Sequence, residues 1–141
     1  MIVDASVWVA IFRGNDVHHA SSVKFLQAAV AKQHDLDVPN LALPEIAGVF
    51  ARQTGDARLA TRTLRAVLAL PGLQRHELTD ALADGAALQA SRCKLRGADA
   101  VYVALAEALE APLISLDQEV LDRARRPVSV KTPARWLQEN A

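Results

Sequence analysis

One cysteine, Cys93, stands in 141 residues. A single thiol excludes a disulfide framework and any multi-cysteine zinc or iron–sulfur site. Aromatic residues are scarce, at 2 Trp, 1 Tyr and 3 Phe, which argues against a module that stacks single-stranded bases on rings. Gly and Pro number 6 each, too few for a collagenous or low-complexity chain. No apolar run approaches the ~18 residues of a membrane helix. The start, Met1-Ile2-Val3-Asp4, has neither a basic stretch nor a long apolar one, so no signal peptide and a cytoplasmic location are expected. Excess charge of one sign is also missing, because 16 Lys+Arg balance 16 Asp+Glu. A general nucleic-acid coat is strongly basic, so any contact with RNA or DNA has to use a local patch. Zero net charge favours self-association or a permanent partner.

What is present is a globular pattern, 51% hydrophobic and 23% charged. The length predicts one domain over residues 1–141, burying roughly 68% of the surface that the unfolded chain exposes. Apolar runs at 1–4 and 113–116 read as buried strands. Segments 37–39, 73–78 and 128–130 read as short strands, with 73–78 at an edge because it is polar. Helices fill the intervals. Val7, Ala10 and Ile11 mark the first, and Asp16 can cap a second whose stripe includes Val23, Leu26 and Val30. A third runs from near Pro44 to Gly55, with Leu43, Ile46, Ala47 and Phe50 inward. Gly55-Asp56 is a stop followed directly by a start. Thr79 or Asp80 opens a helix that ends at Cys93. Helices are also expected over 98–109 and 119–124 and after Thr132-Pro133. Strands alternating with helices predict an α/β domain with a mostly parallel sheet.

Four carboxylates stand out by their setting. Asp4 and Asp117 each end an apolar strand, where open α/β sheets bind ligands. Asp99 lies in the first turn of a helix above Tyr102 and Val103, so its face points inward. Glu45 opens a helix beside Ile46 and Ala47. Gathering four carboxylates in apolar surroundings raises their pKa values, a conflict that a bound cation removes. Oxygen ligands without His or Cys suit Mg²⁺ or Mn²⁺. Taken singly, each Asp is equally a helix cap or a dipole partner. Local sequence does not bring the four together.

The segments Met1-Ile2-Val3-Asp4-Ala5-Ser6, Pro44-Glu45-Ile46-Ala47, Arg96-Gly97-Ala98-Asp99-Ala100-Val101-Tyr102-Val103-Ala104-Leu105-Ala106 and Leu113-Ile114-Ser115-Leu116-Asp117 resemble the PIN domain, and in particular its VapC-type toxins. The resemblance runs in order over essentially the whole chain. Its most specific piece is the Gly-Ala-Asp-Ala segment with the helix after it. It implies a three-layer α/β/α sandwich around a four- or five-stranded, mostly parallel sheet. It further implies a Mg²⁺- or Mn²⁺-dependent endoribonuclease, the toxin of a toxin–antitoxin pair, with an antitoxin partner and a homodimeric state. Carried over residue by residue, Asp4, Glu45, Asp99 and Asp117 are the metal ligands and catalytic acids. Ser6 and Ser115 support them, Ser115 where the family often has threonine. Glu45 is the weak choice for the base that handles the attacking water.

Beside the acids, Arg92, Lys94 and Arg96 precede Asp99 and are candidates for RNA phosphate contacts. Arg58, Arg62 and Arg65 form a stripe better read as a solvated face. Arg123, Arg125 and Arg126 cluster after Asp117 and read equally as cations at a helix end. His18-His19 reads as surface, His34 and His76 as lone histidines, and Asp122 as a solvated helix residue. Cys93, Trp8 and Trp136 read as packing residues. The competing functional reading is a catalytically silent RNA- or protein-binding domain of the same fold, whose mark would be a missing acid. A receiver domain needs a central acceptor Asp that 37–39 supplies poorly. An aspartate-nucleophile phosphatase needs Asp where Ser6 stands.

Overall fold

The computed structural model describes all residues, 1–141. Its elements in chain order are β1 (Ile2–Val3), α1 (Ala5–Phe12), α2 (His19–Ala31), β2 (Leu36–Pro39), α3 (Ala42–Thr54), α4 (Ala57–Leu68) and β3 (Leu73–His76). There follow α5 (Asp80–Cys93), α6 (Gly97–Ala108), β4 (Leu113–Ile114), α7 (Gln118–Arg123), β5 (Val130–Lys131) and α8 (Pro133–Glu139). The five strands form one sheet in the order β3-β2-β1-β4-β5, and every neighbouring pair is parallel. Parallel strands need crossovers, and the eight helices that supply them cover the sheet as an α/β/α sandwich. The order reverses between β1 and β4. The crevice at their carboxyl ends is the switch point where such sheets bind ligands.

The central strands are apolar throughout, and Ile2, Val3, Leu113 and Ile114 are fully buried. They belong to one core of 31 buried residues. Helix α6 lies against β1, β2 and β4, with seven consecutive buried residues from Ala100 to Ala106. The edge strand β3 is the polar one, as expected, and it stops at His76 rather than at 78. No helix is long and apolar enough to cross a membrane.

Local chemistry ends and starts the helices where expected at several points. Gly55 takes the left-handed conformation (φ 67°) that closes α3. The Asp56 carboxylate accepts from Arg58 and Leu59 N–H at the head of α4. Thr79, not Asp80, caps α5, and Thr132 caps α8 with Pro133 in its first turn. Gly72 also has positive φ (75°), and a Cβ there would stand 2.9 Å from the His34 carbonyl oxygen. Gly72→Ala is therefore expected to cost about 1–3 kcal/mol, read as a lower denaturant midpoint with an unchanged m-value.

The structure corrects four further expectations. Asp16 does not cap α2; its carboxylate accepts from His18 N–H inside the preceding turn, and the helix starts at His19. The buried face of α2 is Ser22, Phe25 and Ala29, with Val23, Leu26 and Val30 half-buried beside it. Phe25 seats edge-on against Trp136 (centroids 5.2 Å, 89°), and Val23, Leu26 and Val30 pack against the same core from beside it. On α3, Ala42, Ile46 and Phe50 are buried, whereas Leu43 and Ala47 flank them half-buried. The last strand is Val130–Lys131 rather than 128–130, because Leu113 and Ile114 pair with those two residues; Val128 is buried outside the ladder.

Candidate active site

Asp4 follows β1 and caps α1, where one carboxylate oxygen accepts from Ser6 N–H at 3.3 Å. Its other oxygen accepts from the Ser115 hydroxyl, just past β4. Ser115 Oγ in turn accepts from Asp117 N–H at 3.0 Å, and Ser6 Oγ accepts from Leu116 N–H at 3.1 Å. The two serines thus tie the β1–α1 and β4–α7 turns to each other. Asp117 caps α7 through Glu119 and Val120 N–H. Asp99 sits in the first turn of α6, 8% exposed. Glu45 reaches in from α3 and accepts from the Tyr102 hydroxyl at 2.6 Å.

All four carboxylates line one cleft of about 340 Å³, together with Ser6, Asp16, His18 and Arg96. Two larger clefts, of about 510 and 620 Å³, hold two glutamates each, so the chemistry and not the size singles out this one. Burial pushes the Asp4 carboxyl above its ordinary range, against the lowering bonds from Ser115 and Ser6, and Asp99 adds repulsion. Glu45 is raised by burial too; its Tyr102 bond lowers it, and Asp4 and Asp99 push it up. Asp99 is raised by burial although Arg96 opposes. Burial, then the Asp4 and Glu45 charges, drives the Tyr102 phenol far above its usual value, so it stays a proton donor to Glu45.

A model of the PIN domain family matches residues 1–127. The chain belongs to that family. Among solved structures it is similar in fold to Mycobacterium tuberculosis VapC20, described as a toxin that cleaves the sarcin-ricin loop. The two share 18% identity and a TM-score of 0.70 over 86% of this chain and 92% of that one. It is similar to VapBC2 of Rickettsia felis, bound to a promoter DNA fragment, with 11% identity and a TM-score of 0.73 over 93% of this chain and 96% of that one. A toxin–antitoxin complex of Klebsiella pneumoniae gives 20% identity and a TM-score of 0.67 over 94% and 96%. No curated protein matches the sequence.

Within this PIN domain, the arginines and lysines divide. Arg96 joins the cleft, donating from Nε to Asp99 and from Nη2 to Asp117, both at 2.9 Å. Arg92 and Lys94 line a separate pocket with Asp122, Arg123 and Arg125. That pocket lies where α5 and α7 end, a place that also suits helix-end cations. Arg58, Arg62 and Arg65 are exposed on α4. His76 is not lone, because its Nε2 meets the buried Asp37 at 2.8 Å. Trp8, Trp136 and Cys93 are core residues. Asp16 and His18 were not legible as cleft residues; they lie in a turn, and no spacing relates them to the other acids.

A hard divalent cation suits this donor set, which is four carboxylates with three raised by burial and repulsion. As the side chains stand, no three acidic, His or Cys groups close on one point. Arg96 is the cation that Asp99 and Asp117 hold.

Proposed function

We propose that this PIN domain is a Mg²⁺- or Mn²⁺-dependent endoribonuclease, the toxin of a toxin–antitoxin pair. The observation that carries the reading is the meeting of Asp4, Glu45, Asp99 and Asp117 in one cleft at the switch point of the sheet. The loop-cleaving toxin VapC20 and the toxin–antitoxin complex of Klebsiella pneumoniae support the RNA substrate and the protein partner. A homodimer and a cytoplasmic location belong to the same reading.

Asp4, Asp99 and Asp117 would hold the ion, with Glu45 beside them. Bound there, it supplies a water activated for attack and neutralises charge that builds on the phosphodiester. The chain's own part is positional. Ser6 and Ser115 fix Asp4 and Asp117 relative to each other. Tyr102 holds one oxygen of Glu45, a residue that lines the cleft. Glu45 lines the cleft beside the three aspartates, which supports it as the base that handles the attacking water.

Incubating cellular RNA with the purified chain tests the reading. Discrete products with Mn²⁺ or Mg²⁺, absent with chelator, are the expected result; metal-independent products or none refute it. Tyr102→Phe is expected to lower the cleavage rate about 10- to 100-fold without unfolding the chain, the usual effect of removing a group that orients a ligand. A rate within twofold of the parent would show that Glu45 needs no such support.

A further inference from the structure

We infer that Arg96 is the resident counter-ion of the carboxylate cleft, exchanged for the divalent cation when that ion binds. The inference rests on the metal-dependent reading above and adds a competitor for the same carboxylates. Three features carry it. The guanidinium bridges the starts of two helices, reaching Asp99 at the head of α6 and Asp117 at the head of α7. Its side chain is 67% exposed, while those of Asp99 and Asp117 are 12% and 25% exposed. It therefore lies on the solvent side of both carboxylates. All its side-chain partners are acids, the third being Glu119 at 3.7 Å.

Two cations cannot share these oxygens without repulsion, and a guanidinium fork satisfies two carboxylates better than water does. Exchange needs only side-chain rotation, because the Arg96 backbone heads α6 and the side chain is mostly in solvent. Glu119, 43% exposed, stands next to it as a place to rest. Once released, the guanidinium stays at the rim of the cleft with donors free for a phosphate oxygen of the RNA strand. Arg92 and Lys94, in their separate pocket, have no such coupling to the acids.

Metal binding measured directly tests the exchange. In Arg96→Gln, Mn²⁺ is expected to bind about tenfold tighter than in the parent, followed by the loss of the free-ion paramagnetic signal; tenfold corresponds to about 1.4 kcal/mol. In the ¹⁵N-arginine-labelled parent, the Arg96 Nε–H resonance is expected to move toward that of a solvated arginine as Mg²⁺ saturates the cleft. This second measurement needs no variant to fold. Equal or weaker Mn²⁺ binding by Arg96→Gln, or an Arg96 resonance unmoved by saturating Mg²⁺, would overturn the exchange. If metal-dependent cleavage persists beside either result, only the role of Arg96 falls. If neither chain binds a divalent ion, the metal-dependent reading falls with it.

Discussion

Asp4→Asn is expected to cut metal-dependent RNA cleavage by at least about 100-fold, since loss of a supporting group alone costs 10- to 100-fold. The same chain is expected to melt a few degrees higher than the parent in chelator. Asp4 is 6% exposed, and burial raises its carboxyl above the ordinary range. A group raised in the folded state contributes stability that is full below its unfolded value and is lost as pH rises through the raised one. At neutral pH Asp4 is thus a burden, and Asn removes it. Asn also keeps the cap, because it ranks with Asp at that position. The Ser115 hydroxyl turns from donor to acceptor toward the new amide. Melts in chelator at several pH values check the sign. The parent gains from this group as pH falls from neutral toward the ordinary carboxyl range, and the variant lacks that part of the slope. Retained cleavage would remove Asp4 from the metal site.

Trp136→Ala has the largest expected effect on stability, about 3–5 kcal/mol out of the roughly 5–15 kcal/mol of a small domain. Trp136 is 3% exposed. It meets Phe25 edge-on at 5.2 Å and His34 at 5.6 Å, so α8 closes the core over α2. The residues matched by the family model stop at 127, yet this plug comes after them. Equilibrium denaturation is the measurement, and a loss below about 1 kcal/mol would show that α8 is peripheral. The two variants separate chemistry from folding: one is inert and firmer, the other is softer with its acids untouched.

Helix boundaries were legible where a side chain or glycine acts within its own turn. Gly55, Asp56, Thr79 and Thr132 all do what their local chemistry dictates. Asp4 and Asp117 were legible as acids at strand ends, and the inward face of Asp99 followed from Tyr102 and Val103. Their convergence was not. Glu45 meets Tyr102 across 57 positions of sequence, and such a meeting is set by sheet order and helix seating. The partner of Phe25 on α2 is Trp136, far along the chain. Arg96 was legible as a cation near Asp99, but its second partner, Asp117, is 21 residues away. Local patterns thus name the chemical groups, and tertiary packing decides which of them face one another.

Asp4 and Asp117 each divide their two oxygens between different tasks. In both, Oδ1 holds backbone N–H groups at the start of a helix, while Oδ2 takes a side-chain partner at the cleft. Asn preserves the first task and gives up the negative charge that the second atom presents to the cleft. A descendant of this chain can therefore fall silent by one substitution at either position and still fold. Inactive members of such a lineage need carry no scar elsewhere in their architecture, and an intact scaffold is no record of a working ancestor.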